Sequence, residues 1–251
     1  MSSWSQRRKF TYIIGVVIFA VVIVGIPVFF SVYKQPTCFD GLKNGDERGI
    51  DCGGSCQHLC QSAFLAPNIS WTRFEQVAPG LYNVAAYIIN PNIEGEAQNV
   101  PYHIALYDDQ GMMITDVVGM ITLPPHRNTL AFQGSVSTAK RMPTKALFEF
   151  TQSPNWHKST DSLSGIQISD KQYTEDESGG SLMVTLKNNT ANTIGTTAIG
   201  VILYDKDSNA IGFSKTVIDE ILGFGQTVAP FTWPVNREGK VISIEVLPVS
   251  E

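Results

Sequence analysis

The sequence has no charged side chain from Phe10 to Tyr33, no acidic residue before Asp40 and no cysteine after Cys60. The last absence leaves everything beyond residue 60 without disulfides and without a thiol nucleophile. Histidine is scarce: His58, His103, His126 and His157 are the full set. None lies in an H-E-x-x-H pair, and the chain carries no G-x-S-x-G elbow, P-loop or dinucleotide fingerprint. His103 reads as a strand-face residue, and His126, after Pro124-Pro125, as an exposed one. The expected reading is that no catalytic residue is present. A cryptic hydrolase would need a histidine-lined pocket assembled only by the fold.

Basic excess is also missing. Of 18 Lys and Arg, four (Arg7, Arg8, Lys9 and Lys34) flank the uncharged run, which leaves 14 against 23 Asp and Glu, a net charge of −9 for the remainder. A nucleic-acid binder needs a basic stripe, and docking to anionic lipid needs a basic patch. Both are excluded.

The uncharged run of 24 residues spans roughly 36 Å as a helix, and a bilayer core takes about 20 apolar residues. It is rich in Ile, Val and Phe, which lipid forces into a helix because no backbone group can be left unpaired there. Arg7, Arg8 and Lys9 precede it and Lys34 alone follows, so the positive-inside bias places the N-terminus in the cytoplasm. The run exceeds the 7–15 apolar residues typical of a cleaved signal and ends without a small-residue cleavage site. It reads as an uncleaved signal anchor in the cell membrane, with residues 1–9 as a cytoplasmic tail, 10–33 as a single-pass transmembrane helix and the bulk extracytoplasmic.

Residues 36–62 form a cysteine-rich segment holding Cys38, Cys52, Cys56 and Cys60. Four cysteines in an extracytoplasmic cluster point to two disulfides, with three pairings open. A zinc site is the rival, but its usual knuckle is C-x2-C, and the gaps here are thirteen, three and three residues. Asp40, Asn44, Asp46, Glu47 and Asp51 are interspersed with glycines. Calcium takes 6–8 oxygen ligands, and glycine lets the chain fold back so that oxygens converge. Asp40, Asn44, Glu47 and Asp51 are therefore candidate ligands of a structural calcium ion, with Asp46 the weakest. The alternative is a stapled linker with solvated acids. The segment resembles a short module, C-x-D-G-x-x-N-G-x-E-x-G-x-D-C-G-G-x-C-x-x-C, found in bacterial envelope and secreted proteins, but Cys56 and Cys60 have three residues between them where that module has two.

Past Cys60, short apolar runs alternate with Asn, Gly, Pro and Asp, the texture of an all-β sandwich. An internal repeat divides it. Ile104 to Asp108 recurs as Val201 to Asp205 at an offset of 97, Ile89 to Asn92 as Lys187 to Thr190 at 98, and Leu123 to Phe132 as Leu222 to Phe231 at 99. The expected fold is mainly β: a transmembrane helix, a small disulfide-rich segment, then two tandem sandwiches over 66–151 and 164–251, joined by a Ser-rich linker over 152–163. Leu81 to Ile89, Tyr102 to Tyr107 and Met112 to Val117 read as strands, with Gly111 and Asn209 supplying left-handed turn positions. Leu106 and Leu203 are expected in the core, with Tyr107 and Tyr204 on the opposite face. Ile242, Ile244 and Val246 are expected to alternate inward. Trp156, in the linker, is expected at the seam between the sandwiches.

These repeats resemble the FxLYD family of bacterial envelope domains and are similar to late-embryogenesis-abundant domains, although Ile104 or Val201 stands where the former has Phe. The resemblance implies immunoglobulin-like sandwiches and carries no catalytic residues. The expected function is a non-catalytic binding or scaffold protein of the envelope, engaging another envelope protein. The alternative is a structural spacer or adhesion stalk with a calcium-stiffened neck.

Overall fold

The computed structural model describes residues 4–33, 35–58, 60, 64–159, 163–177, 179–234 and 239–250. Two compact units divide the chain, residues 1–56 and 57–251.

The first unit contains helix α1, Trp4–Val32, and the beginning of the cysteine-rich segment. Its stretch Gln6–Ser31 is long and apolar enough to cross a membrane by length and composition. Among the described residues its apolar side chains are exposed on every side, from Tyr12 and Ile13 through Phe29 and Phe30. A helix apolar all round has no stable arrangement alone in water.

Among the described residues the second unit contains thirteen strands. Alternating inward residues on β1 (Asn68–Ala78), β2 (Leu81–Ile89), β3 (Gly95–Tyr107), β4 (Met113–Leu123), β5 (Asn128–Ser137) and β6 (Lys145–Phe150) enclose the first core. The sheet β1-β2-β5 covers one side and β4-β3-β6 the other. The short β7 (His157–Lys158) pairs with Gly95 and Glu96 of β3. The second sandwich repeats this order with β8 (Ile166–Asp176), β9 (Gly179–Asn188), β10 (Thr197–Tyr204), β11 (Ala210–Ile218), β12 (Gln226–Trp233) and β13 (Ser243–Ser250). Its sheets are β8-β9-β12 and β11-β10-β13. All pairings are antiparallel, and β1 and β8 carry the same irregularity, at Ile69/Trp71 and Ile168/Asp170.

A buried asparagine anchors the same loop in each copy. The Asn90 amide donates to the carbonyls of Gly95, Leu123 and Pro124, and its Oδ1 accepts from Asn92 N. The Asn188 amide donates to Asn192, Ile221 and Leu222, and its Oδ1 accepts from Thr190 N. His126 (φ 49) and Phe224 (φ 56) occupy matching left-handed positions. The third repeat segment therefore aligns Leu123 with Ile221, at an offset of 98, one residue away from the sequence match. Asn188 heads a glycosylation sequon but is fully buried.

Several expectations need correction. Trp156 is 3% exposed inside the core of the first sandwich, stacked on Phe64 at 5.3 Å, not at the seam. The expected linker is partly structured, since β7 lies in it; residues 160–162 fall outside the described residues. In the β10–β11 turn the left-handed residue is Ser208 (φ 60), not Asn209. Ile242 is 59% exposed and precedes β13.

The two sandwiches share a third core. Ala85, Tyr87 and Leu130 of the first pack against Ile202, Ala210, Phe213 and Leu247 of the second. Sheet β1-β2-β5 thus faces sheet β11-β10-β13, and the unit is a stack of four sheets. β2 and β10 are consequently buried on both faces. Free sheet edges are blunted in the second sandwich. Lys171 of β8 donates from Nζ to Ile244 O at 2.8 Å, and Pro230 and Pro248 sit in edge strands β12 and β13. An edge strand with such features offers a poor template for pairing with another chain.

Candidate functional site

Two regions bring together side chains that could carry a function: the cysteine-rich loop and the seam.

In the loop, positive φ at Gly41, Gly45, Asp51, Gly53 and Gly54 turns the chain repeatedly. A Cβ on Gly54 would sit 2.2 Å from Asp46 O, so only glycine fits. The turns gather all four candidate ligands into one network. The Asp51 carboxylate accepts from Asp40 N at 3.0 Å and from Gly41 N at 3.0 and 3.1 Å. Glu47 Oε2 accepts from the amides of Asn44 and Asp51, each at 3.3 Å. Asp40 Oδ1 accepts from Leu42 N, and its Oδ2 accepts from Asn44 Nδ2 at 2.9 Å. Asp46 stands apart and accepts from the amide and hydroxyl of Ser55. The Ser55 hydroxyl is the main reason that the Asp46 carboxyl titrates below its ordinary range. The acids thus cap backbone amides, as a segment with almost no apolar core requires. Asn44 Oδ1 differs, being a buried acceptor with no partner among the described residues.

All four cysteines are disulfide-bonded, and one pair is Cys38–Cys56. Cys38, Glu47 and Cys56 lie close enough to share an ion. A disulfide leaves no thiolate, so the two sulfurs do not form a zinc-type site.

At the seam, Tyr87 and Tyr204 both donate their hydroxyls to Glu245, to Oε1 and Oε2 respectively, each at 2.8 Å. Asn128 Nδ2 donates in turn to the Tyr87 oxygen at 2.6 Å. Burial first, then the facing carboxylate, pushes both phenols above their ordinary titration range. Arg73 donates from Nη1 to Ala210 O at 3.0 Å, and Phe213 meets Trp71 at 6.2 Å and Phe132 at 6.4 Å. Apolar burial supplies the adhesion, and the hydroxyl–carboxylate network fixes the register.

Clefts open beside the seam. One of about 270 Å³ runs between Thr129 and Leu247. A wider one of about 830 Å³ is lined by Arg73, Glu75, Tyr82, Lys145, Ala210 and Phe213. Among the described residues, neither wall contains a histidine, cysteine or serine. His103 lies instead on the outer face of β4-β3-β6, with Nδ1 3.0 Å from Asp116 and Nε2 3.2 Å from Glu149. That pairing, led by Glu149, raises its pKa.

The seam network was missed in sequence. The available signal was the unbroken apolar character of β10 (Thr197-Ala-Ile-Gly-Val-Ile-Leu), which marks a strand covered on both faces.

No protein-family model matches the chain, and no curated protein matches it. Among solved structures, one neighbour is a putative beta-galactosidase from Bacteroides fragilis, with 9% identity over 69% of this chain and a TM-score of 0.20. The aligned region spans 33% of that longer protein, and at this TM-score the likeness contributes nothing to the reading of the fold or the site.

Proposed function

We propose that this chain is a membrane-anchored, extracytoplasmic, non-catalytic binding or scaffold protein, held by α1 and presenting its two sandwiches as one body to an envelope protein. The observation that carries the reading is the seam. Two tethered beads would leave each sandwich free to turn, whereas a shared core with the Tyr87–Glu245–Tyr204 network holds loops of both sandwiches at fixed spacing. Sandwich loops set on a rigid scaffold are common binding surfaces. The test is cross-linking of the tagged full-length protein in its membrane, followed by mass spectrometry of the captured neighbours. One reproducible protein linked through one face supports the reading. Capture of only the chain itself, or of a diffuse set of abundant proteins, overturns it in favour of a spacer.

A second reading, a spacer stiffened by calcium, has support from Asn44 Oδ1. The Asn44 amide nitrogen donates to Asp40 Oδ2, and Asp40, Glu47 and Asp51 add carboxylate oxygens, a donor set that suits a hard cation. Asp40, Asn44, Glu47 and Asp51 would hold the ion, which would cross-brace the loop. Isothermal titration of calcium chloride into the full-length protein in lipid nanodiscs tests it. Heat that disappears in Asp51→Asn supports it, and no heat at millimolar calcium ends it.

A further inference from the structure

The seam joins two unlike faces, the outer surface of β1-β2-β5 and the outer surface of β11-β10-β13. Both sandwiches have the same strand order, so each owns a counterpart of both faces. A head-to-tail contact of this kind has no symmetry that closes it, and its natural continuation is an open filament. The first sandwich ends the stack with β4-β3-β6, and the second ends it with β8-β9-β12.

Strand register identifies the residues at the matching positions. With Leu106 aligned on Leu203, Phe213 corresponds to Asp116, Leu247 to Glu149 and Gly200 to His103. With Asn90 aligned on Asn188, Trp71 corresponds to Asp170, Tyr87 to Thr185 and Phe132 to Pro230. The ring contact of Trp71 with Phe213 would thus become Asp170 against Asp116 if a second copy stacked in the same way. The contact of Phe132 with Phe213 would become Pro230 against Asp116.

We infer that the two outer faces are built to stop the stack at two sandwiches: a second copy of this chain is refused where the seam would otherwise repeat. Apolar surface alone would not refuse it, since Val118 and Met120 on β4 are 73% and 70% exposed. The charge does. His103 holds the Asp116 and Glu149 carboxylates fixed through its two ring nitrogens, and Asp170 meets them with the same sign. Repeat arrays likewise need polar outer faces on their terminal units to stay soluble.

The test uses the full chain in excess detergent, as two single-face variants and their mixture. Asp116→Phe with Glu149→Leu restores seam residues on one face, and Asp170→Trp does so on the other. Circular dichroism and a melting curve check that each is folded. Light scattering is expected to give one chain per particle for the wild type and for each variant alone, and a twofold rise in protein mass on mixing. If phenylalanine at position 116 unfolds β4, Asp116→Leu takes its place. A folded mixture that stays at one chain per particle overturns the inference. So does a wild-type chain that already stacks at the same concentration.

Discussion

Tyr87 of the first sandwich and Glu245 of the second, 158 residues apart in sequence, share a 2.8 Å hydrogen bond across the seam. The other carboxylate oxygen holds Tyr204 at the same distance. Hydrogen bonds to a charged group contribute about 1.5–3 kcal/mol each. Glu245→Ala is expected to cost about 3 kcal/mol by leaving both O–H groups without an acceptor, and roughly 6–12 °C in Tm for a domain of this size. Tyr204→Phe combined with Glu245→Ala should cost less than the two single changes added together. Strict additivity in this double-mutant cycle would show that the two groups do not interact.

Asn90 and Asn188 hold matching loops, so they should fail alike. Each alanine variant removes an amide that bonds three carbonyls and is expected to lose about 1–3 kcal/mol. Aspartate should not rescue either, because a carboxylate supplies no N–H. Urea unfolding of the four variants decides this, and near-wild-type stability for either alanine would contradict the anchoring role.

His103 makes stability depend on pH. Its folded pKa is raised above the ordinary 6.5, chiefly by Glu149. Its contribution is therefore fully present below pH 6.5 and fades as pH rises through the elevated folded value. In His103→Asn that fading should be absent, while the rest of the pH profile is unchanged. Melting temperatures between pH 5 and 9 for both proteins supply the comparison. Parallel curves would remove His103 from the account.

Gly54→Ala should disturb the cysteine-rich loop far more than Gly41→Ala. Both glycines have positive φ, but a Cβ at position 54 meets Asp46 O, whereas one at position 41 has nothing within 4 Å. The left-handed backbone alone costs an alanine about 1–2 kcal/mol, so Gly41→Ala should still form its disulfides. Quantifying free thiols in the purified proteins should show them in the Gly54 variant only. Equal thiol content would place the clash elsewhere.

Much of this architecture is legible from residue patterns. The uncharged run read as a helix, clustered cysteines read as disulfides, and the repeated Leu-Tyr-Asp segment placed Leu106 and Leu203 in matching cores. The misses have physical causes. β1 and β8 escaped notice because edge strands such as Ile168-Ser-Asp-Lys-Gln-Tyr173 are charged and largely exposed. Trp156 was misplaced because its neighbours are polar; it is buried through Phe64, ninety-two residues upstream in sequence. The seam was invisible to any test based on one sandwich. A two-residue period shows that a strand has an inside, but not that its outside is also covered, as at Ala85 and Tyr87. In the loop, Asp40, Glu47 and Asp51 mainly cap backbone amides, a role that residue types and spacing do not distinguish from ion binding.

The shared core also sets a schedule for making the protein. The first sandwich is complete once β7 has emerged, with about 100 residues still to be synthesised, which takes roughly 5–20 s. Through that interval Trp71, Tyr87, Leu130 and Phe132 form an uncovered apolar face, because their cover, Phe213 and Leu247, has not yet been made. The newborn half is thus more adhesive than the finished molecule. Whatever guards this chain during synthesis has one particular surface to shield, and only until β13 arrives.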